Sequence, residues 1–170
     1  AIVITAPNVT LDLNGFTLTG AGGLDGIVLS ATATNVTIRN GTLTGWGQSG
    51  INGHEFNAPN MRVEAVRAIR NGAAGIAVGL HGQVVGCEAV TNATWGVLTR
   101  DGGRVADCLV AANLGNGIET VHNSVVTKCV VRLNGAFGVV GANGCAVSGN
   151  TVAGNATGGV LLGGGGAVKD

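Results

Sequence analysis

Charged residues are scarce in this chain, and several classes of partner are therefore not expected. Asp, Glu, Lys and Arg make up 11% of the 170 residues, and nine basic and nine acidic side chains give a formal net charge of zero. A nucleic-acid-binding surface needs a basic face, so nucleic acid is not expected as a partner. No apolar run reaches the length of about 18 residues that a membrane-spanning helix needs.

Aromatic residues are also few, at 3%, and tyrosine is absent. A sugar-binding surface built on aromatic rings would have only a few to use, among them Trp46, Trp95 and Phe137. Trp95 and Phe137 each stand one residue before a glycine of the repeat described below. Two roles stay open for them, filling a corner of the fold and offering a platform to a sugar ring.

The four cysteines do not suggest disulfides or a metal site. Cys87, Cys108 and Cys129 recur at equal intervals, whereas Cys145 falls outside this spacing. Residues stacked in one column have parallel Cα–Cβ bonds, which is poor disulfide geometry. Neither a CxxC motif nor a histidine cluster accompanies them, so small buried hydrophobic side chains are expected, with no metal and no cofactor.

The dominant feature of the sequence is an unbroken repeat with a period of 21. Its clearest marker is a series of asparagines, and a glycine followed by a β-branched residue stands four positions after each of them. The five asparagines are Asn71, Asn92, Asn113, Asn134 and Asn155. The five glycines are Gly75, Gly96, Gly117, Gly138 and Gly159. Self-similarity at a fixed period predicts a repeat architecture.

A unit of this length is too short for a pair of helices, and glycine with β-branched residues favours strands. In one unit the apolar spacing is three from Val84 to Cys87 and then two to Ala89, which indicates a corner between two strands. A third strand is predicted around Val97. The fold class is therefore all-β, a single parallel β-solenoid of about seven to eight coils that rise about 4.8 Å each.

Stacking gives the asparagines and glycines distinct predicted roles. Identical amides one coil apart can hydrogen-bond in a continuous ladder, and a buried amide without a partner would cost about 1–3 kcal/mol. For the glycines that follow, a tight corner with positive φ is expected.

The whole chain, residues 1–170, is predicted to be one domain with three stretches. Residues 1–59 form irregular, longer coils, because Asn8, Asn35 and Asn60, which begin successive units, are spaced more widely than the period of the repeat. The extra residues are expected mainly in loops at 30–34 and 54–59. Residues 60–164 form the regular coils, and residues 165–170 a truncated coil.

A solenoid exposes strand edges at its first and last coils, and neither end of this sequence shows a cap. The sheet that contains the Gly-Ile/Val strands is also expected to expose Leu98, Val140 and Leu161. Self-association through the ends or this apolar sheet, or flanking domains in a longer chain, is therefore expected.

At residues 147–160, the segment VSGNTVAGNATGGV resembles the consensus of the right-handed parallel β-helix repeat found in pectate-lyase-like proteins and many secreted bacterial proteins. The resemblance covers about residues 8–168. It implies a right-handed parallel β-helix and an extracellular, cell-surface or periplasmic location. Because the family includes lyases, hydrolases, epimerases, phage tailspikes and members without known chemistry, it does not specify an activity.

In enzymes of this family the polysaccharide lies along the sheet of the Gly-Ile/Val strands and the turn that follows it. Asp101 and His122 share a column there in adjacent coils, close enough for a carboxylate–imidazole hydrogen bond. A base near a cation suits β-elimination or epimerisation of a uronic acid. The candidate catalytic residues are Asp101, His122, Arg100 and His54. The candidate binding residues are Glu119, His81 and Glu55.

Other features of the sequence argue against a complete enzyme. The aspartate clusters of related hydrolases and the acidic calcium clusters of pectate lyases are missing. His54 and Glu55 match the end of the Asp-Pro-His-Glu motif of alginate epimerases, but that chemistry relies on a tyrosine. The favoured interpretation is a non-catalytic secreted or surface β-helix segment that serves structure, assembly or display. The alternative is a polysaccharide-modifying uronate lyase or epimerase, or a carbohydrate-binding β-helix.

Overall fold

The computed structural model describes residues 1–169 of the chain as a stack of parallel coils with no helix. The strands in chain order are β1 (Ile2–Ile4), β2 (Thr10–Asp12), β3 (Thr17–Thr19), β4 (Ile27–Leu29), β5 (Thr37–Thr44), β6 (Ile51–Asn52), β7 (Arg62–Ile69), β8 (Ile76–Val78), β9 (Gln83–Val85), β10 (Glu88–Val90), β11 (Val97–Thr99), β12 (Arg104–Ala106), β13 (Leu109–Ala111), β14 (Ile118–Thr120), β15 (Val125–Thr127), β16 (Val130–Arg132), β17 (Phe137–Gly141), β18 (Ala146–Ser148), β19 (Thr151–Ala153), β20 (Gly158–Leu162) and β21 (Ala167–Lys169). The predicted all-β solenoid is confirmed.

Two sheets run the length of the stack. Sheet A has eight strands in the order β1-β4-β6-β8-β11-β14-β17-β20, and these are the Gly-Ile/Val strands of the repeat. Sheet B has thirteen strands in two branches that meet at the long strands β5 and β7. From β9 onward each coil gives one short strand to each branch, so a regular coil has three strands. This matches the three strands that the apolar spacing predicts.

Strand pairing keeps the period of the repeat in the later coils, where Ile76 pairs with Val97 and Val97 with Ile118. The first coils are longer, since Thr10 pairs with Thr37 and Thr37 with Arg62. Ile51 pairs with Ile76 in sheet A, and Arg62 pairs with Gln83 in sheet B. The segment between β6 and β7 is longer than the equivalent segment between β8 and β9, so the extra residues of the second coil lie in the loop between β6 and β7.

Each regular coil turns three corners, and each corner contains a residue with positive φ. In the coil that contains β9, β10 and β11 these residues are His81 (φ 54), Gly86 (φ 60) and Thr91 (φ 56). The same columns contain asparagine, aspartate, lysine and leucine in other coils, all in the left-handed region. The left-handed conformation costs such residues roughly 1–2 kcal/mol, so the stacked pairing must hold them there.

The asparagine ladder is confirmed in atomic detail. The Asn92 Nδ2 donates to Asn113 Oδ1 at 2.9 Å, and Asn113 Nδ2 donates to Asn134 Oδ1 at 3.0 Å. Each Oδ1 also accepts the backbone N–H of the preceding asparagine, as in Asn113 to Asn134 at 3.1 Å. The second amide hydrogen goes to a carbonyl of the preceding coil, as from Asn113 to Ala89 at 3.0 Å. The side chain of an asparagine inside the ladder therefore takes part in four hydrogen bonds.

The ladder, and not a positive φ, explains the glycine column. None of these glycines has a positive φ, so that expectation is wrong. A Cβ on Gly117 would lie 2.6 Å from Asn134 Nδ2 and 2.7 Å from the Gly138 carbonyl oxygen. The same clash arises at Gly75, where Asn92 Nδ2 is 2.6 Å away. Any side chain here would push the next amide out of the ladder.

The interior is a continuous aliphatic column that includes Ile27, Ile51, Ile76, Ile118 and Val139. Cys87, Cys108 and Cys129 are buried in this core as free thiols, and Cys145 is free and buried as well. Asn150 caps the column of three cysteines, since its Oδ1 accepts the backbone N–H of Cys129 at 2.8 Å.

Replacing one ladder asparagine is expected to destabilise the fold more than replacing a charged turn residue. Asn113→Ala leaves donors and acceptors on both sides without partners in a buried site, so the free energy of unfolding should fall by about 2–4 kcal/mol. Asp101→Ala, at a half-buried turn position, should change it by about 0.5 kcal/mol or less. Denaturant unfolding of both variants measures this, and equal midpoints would contradict a stabilising ladder.

Candidate functional site on the outer face of sheet A

From β6 onward, one residue of each sheet A strand points outward, and these residues form a row that follows the solenoid axis. The row is mostly apolar, and it is buried at Ala77 and Leu98 and most exposed at Leu161. We call it the outer row, and it consists of Asn52, Ala77, Leu98, Glu119, Val140 and Leu161. Glu119 is its only charged member.

The longer second coil brings distant residues together beside this row. The loop at 54–59 packs onto the next coil at Gly79, where an added Cβ would clash with the backbone of Ala58. Beyond Gly79 the Arg100 side chain reaches the loop, and its Nη2 donates to the His54 carbonyl oxygen at 3.5 Å. His54 and Arg100 are 46 residues apart in sequence. Glycine at position 79 is what allows the loop to lie this close.

The environment of His54 favours its neutral form. Burial lowers the pKa of the imidazole from its usual range, and the positive charge of Arg100 lowers it further. The carboxylate of Glu119 acts in the opposite direction on the same pKa. Arg100 and Glu119, from two other segments of the chain, therefore both act electrostatically on His54. Near neutral pH this imidazole is a proton acceptor.

Two neighbours hold Glu119 in place. Trp95 Nε1 donates to Glu119 Oε2 at 2.6 Å, and Asn116 Nδ2 donates to the same oxygen at 2.8 Å. The Trp95 side chain packs against Ala77 and Leu98. Leu98 is therefore only 9% exposed, and the expectation that it lies open on this face is wrong. Trp95 lies on the outside of sheet A, where it covers Leu98 and orients a carboxylate.

Among the described residues 1–169, no carboxylate forms an ion pair with Arg100. The ion pairs of residues 1–169 join Arg39 to Asp12, Arg62 to Glu64, and Arg67 to Glu88, all on sheet B. The Nε of Arg100 is buried, and within residues 1–169 it has no hydrogen-bond acceptor. A guanidinium without a counter-charge beside an open face is suited to binding an anion.

Glu55 belongs to a separate polar group at the N-terminal end of this face. Asn52 Nδ2 donates to Glu55 Oε2 at 3.3 Å and to Asp25 Oδ2 at 3.2 Å. Asp25 Oδ1 also accepts the backbone N–H of Ser49 at 2.7 Å. Asp25 thus fixes the backbone of the next coil, and Glu55 pairs with the side chain of Asn52. Nowhere in residues 1–169 do three or more His, Cys, Asp or Glu side chains converge as metal ligands would.

Asp101, His122 and His81 lie in the turn between sheet A and sheet B, as predicted, but their side chains are not joined to one another. No side-chain hydrogen bond between Asp101 and His122 occurs in the part of the chain that the structure describes. The backbone links the turns instead, since His81 N donates to Asp101 O at 2.9 Å and Gly102 N to His122 O at 2.9 Å. His81 is exposed and occupies a positive-φ corner.

Of the residues predicted from the sequence, the structure therefore groups His54, Arg100 and Glu119. It leaves Asp101, His122, His81 and Glu55 outside this group. Sequence reasoning missed Asn116, the role of Trp95 in fixing Glu119, and the role of Gly79 under the loop. The insertion itself was the available signal, because an extra loop beside a regular column can reach over adjacent coils.

The fold and the site define the class of this protein, which is a parallel β-solenoid whose outer sheet face carries a basic and an acidic group. Residues 25–169 match the family model described as a right handed beta helix region, and the chain belongs to this family. The predicted resemblance is thereby confirmed. No curated protein sequence matches the chain.

Three solved structures resemble the chain over 98% of its length. They are a double mutant of the periplasmic alginate epimerase AlgG (TM-score 0.60, 15% identity) and the A-modules of the Azotobacter vinelandii mannuronan C-5 epimerases AlgE6 (0.61, 13%) and AlgE4 (0.59, 13%). The chain covers 50%, 58% and 55% of these three structures, respectively. At such identities the likeness shows the fold alone.

Within residues 1–169 there is no helix long and apolar enough to cross a membrane.

The charge environment of His54 predicts how its pKa responds to substitution. Arg100→Gln removes a neighbouring positive charge and should raise the pKa of His54, whereas Glu119→Gln should lower it further. Arg104→Gln, which removes an equal charge from an exposed position on sheet B, should leave it unchanged. NMR titration of the His54 ring measures all three, and an unchanged value in Arg100→Gln would contradict the proximity of these groups.

The lowered pKa also predicts a pH dependence of stability. Because the folded state holds the pKa of His54 below its unfolded value of about 6.5, the unfolded chain binds more protons between the two values. The stabilisation is complete above about pH 6.5 and is lost as the pH falls through the folded pKa. Denaturant unfolding from pH 7 to pH 5 should show this loss, and His54→Asn should reduce it. Equal losses in both proteins would exclude His54 as its source.

Proposed function

We propose that this chain binds an anionic polysaccharide along the outer face of sheet A. The observation that carries the proposal is the position of Arg100 beside a long, shallow face, where its guanidinium pairs with no carboxylate of residues 1–169. Glu119, whose carboxylate Trp95 and Asn116 hold in place, lies on the adjoining coil. A uronate carboxylate at Arg100 gains a charge-assisted pair, and hydroxyls of the same sugar reach Glu119.

The same group of residues supports chemistry on a uronic acid. Neutral His54 has the protonation state of a general base, and a cation at the uronate carboxylate stabilises the charge that develops when the proton on C5 leaves. Removal of that proton is the shared first step of β-elimination and of C5 epimerisation. The alginate and mannuronan epimerases that resemble this chain in fold support a uronate as the substrate class.

The second candidate function is non-catalytic, a β-helix that binds or displays without turnover. The specific observation in its favour concerns the second proton-transfer group that either reaction needs. The chain has no tyrosine, and Glu119 Oε2 is already engaged by Trp95 and Asn116. Epimerisation needs a proton returned to the opposite face of C5, and elimination needs one delivered to the leaving oxygen. For either function we propose an extracellular, cell-surface or periplasmic location, where such polymers occur.

Binding is tested with polygalacturonate, alginate and hyaluronan. Arg100→Ala should weaken the affinity for whichever polymer binds by about 10- to 100-fold, the value of a charge-assisted hydrogen bond. Arg104→Ala removes the same charge from sheet B and should retain the wild-type affinity at equal salt. Isothermal titration calorimetry measures both, and equal affinities in the two variants would exclude Arg100 as the anion site.

Turnover separates the two candidate functions. Ultraviolet absorbance of the unsaturated product reveals elimination, and NMR of the polymer reveals epimerisation. His54→Ala should then reduce the rate by about 10²- to 10⁴-fold while binding is retained, as expected for loss of a general base. Binding that depends on Arg100 without any turnover would establish the non-catalytic function. Turnover that survives His54→Ala would assign the base to another residue.

A further inference from the structure

The charges of sheet B do not balance. Three of its arginines form the ion pairs with Asp12, Glu64 and Glu88 described above. Among residues 1–169, the other charged residues on its strands and at its corners are five cations and one anion, namely Arg70, Arg104, Lys128, Arg132, Lys169 and Asp107. Sheet B therefore has an excess of four positive charges, although the formal net charge of the whole chain is zero. A molecule with this asymmetry turns its basic face toward an anionic surface.

One coil of sheet B combines such cations with exposed aliphatic side chains. It contains β15 and β16, whose outward residues alternate with buried valines. Lys128 follows β15 and Leu133 follows β16, each at a corner with positive φ (54 and 58). Leu133 is 58% exposed, and Val125 and Val130 are exposed as well. We call this row the basic ridge, and it consists of Val125, Thr127, Lys128, Val130, Arg132 and Leu133.

The coil that follows leaves the basic ridge uncovered. Strand register places Ala146 beside Val125, and Ala153 beside Arg132. The other outward positions of that coil hold only serine, threonine and glycine. The basic ridge therefore rises above a low step in the surface. A rigid partner would need a groove that matches this step, whereas a layer of mobile lipid headgroups adapts to it.

The cations of the basic ridge are available to an external anion. Within the described part of the chain, neither Lys128 nor Arg132 forms an ion pair with a carboxylate. Arg104 adds a third cation on the preceding coil. Across the sheet B strands and corners of these two coils, all of them described by the structure, Asp107 is the one acidic residue. Positive charge thus predominates around the exposed aliphatic side chains.

This combination fits the interface of a membrane. Aliphatic side chains are stabilised where the headgroups meet the acyl chains, and anionic lipids attract basic residues. Long basic side chains can extend from an apolar surface to reach headgroup phosphates. The basic ridge provides both kinds of group on one short row.

We propose that the basic ridge docks on an anionic phospholipid surface. Lys128 and Arg132 pair with headgroup phosphates, and Leu133 with the two valines enters the boundary between headgroups and acyl chains. The inference does not depend on the proposed function, because the basic ridge lies on sheet B and the candidate site on sheet A. A chain held in this way leaves the outer face of sheet A free for a polymer.

Vesicle sedimentation tests the electrostatic part of the contact. The full chain should bind vesicles of equimolar phosphatidylglycerol and phosphatidylcholine more tightly than vesicles of phosphatidylcholine alone. Lys128→Gln and Arg132→Gln should each weaken binding to the anionic vesicles about fivefold, which is the attraction of one basic residue to such a surface. Arg100→Ala removes an equal charge from the side of sheet A and should retain the wild-type affinity for vesicles. Thermal melts check that each variant is folded.

Leu133→Ser tests the aliphatic part of the contact. It should weaken binding to the anionic vesicles by about three- to tenfold, the scale of partly burying one aliphatic side chain. Leu24→Ser replaces a leucine that is 61% exposed in the turn before β4 of sheet A, and it should bind as the wild type does.

The inference is overturned if the chain binds neither kind of vesicle or binds both equally. It is also overturned if binding to anionic vesicles is unchanged in Lys128→Gln and Arg132→Gln, or in Leu133→Ser. A loss of affinity for dissolved polygalacturonate in Lys128→Gln and Arg132→Gln would overturn it too, because sheet B would then be a site for a soluble polyanion. The proposed function is judged separately, by the effect of Arg100→Ala on polymer binding.

Discussion

The ladder of stacked asparagine amides is the interaction on which the other regularities of this solenoid depend. The side-chain amide of a residue such as Asn113 has all of its hydrogen-bond partners only if the adjacent coils present identical amides in register. Any insertion between two ladder positions that shifted the register would leave buried donors without partners, at about 1–3 kcal/mol each. The constraint also reaches the neighbouring column, since Gly117 has no room for a Cβ beside the Asn134 amide. The asparagine and glycine columns are thus one packing unit.

Most of the fold could be predicted because this constraint is periodic. Columns of identical residues reveal which positions are neighbours in space, and the step from Val84 to Cys87 reveals a corner. The corner conformation could not be predicted in the same way. Left-handed residues are usually glycine or asparagine, yet Thr91 and Leu133 adopt positive φ here. Parallel pairing on both sides holds them, and such long-range support leaves no local signal in the sequence.

The candidate site was harder to predict because only part of it follows the period. Register places Arg100 and Glu119 on adjacent coils, so the sequence could group them. The contact between Arg100 and His54 crosses Gly79 and involves a loop whose length breaks the repeat, and no column connects these residues. Conversely, Asp101 and His122 share a column but not a side-chain hydrogen bond. Column membership fixes the distance between backbones, and the direction of each turn side chain remains free.

The insertion at 54–59 shows how a rigid repeat can acquire a site. In the regular coils each residue lies next to the residues at the same repeat position in the adjacent coils. Charged residues of one sign at that position would therefore stack in a column and repel one another. A loop that extends across the stack is not subject to this restriction, because it brings a histidine of one coil to an arginine two coils away. Gly79 makes room for that approach, and the coil next to that of Arg100 supplies Glu119, whose carboxylate Trp95 and Asn116 hold in place. Dissimilar groups thus converge on a scaffold whose own symmetry would otherwise keep them apart.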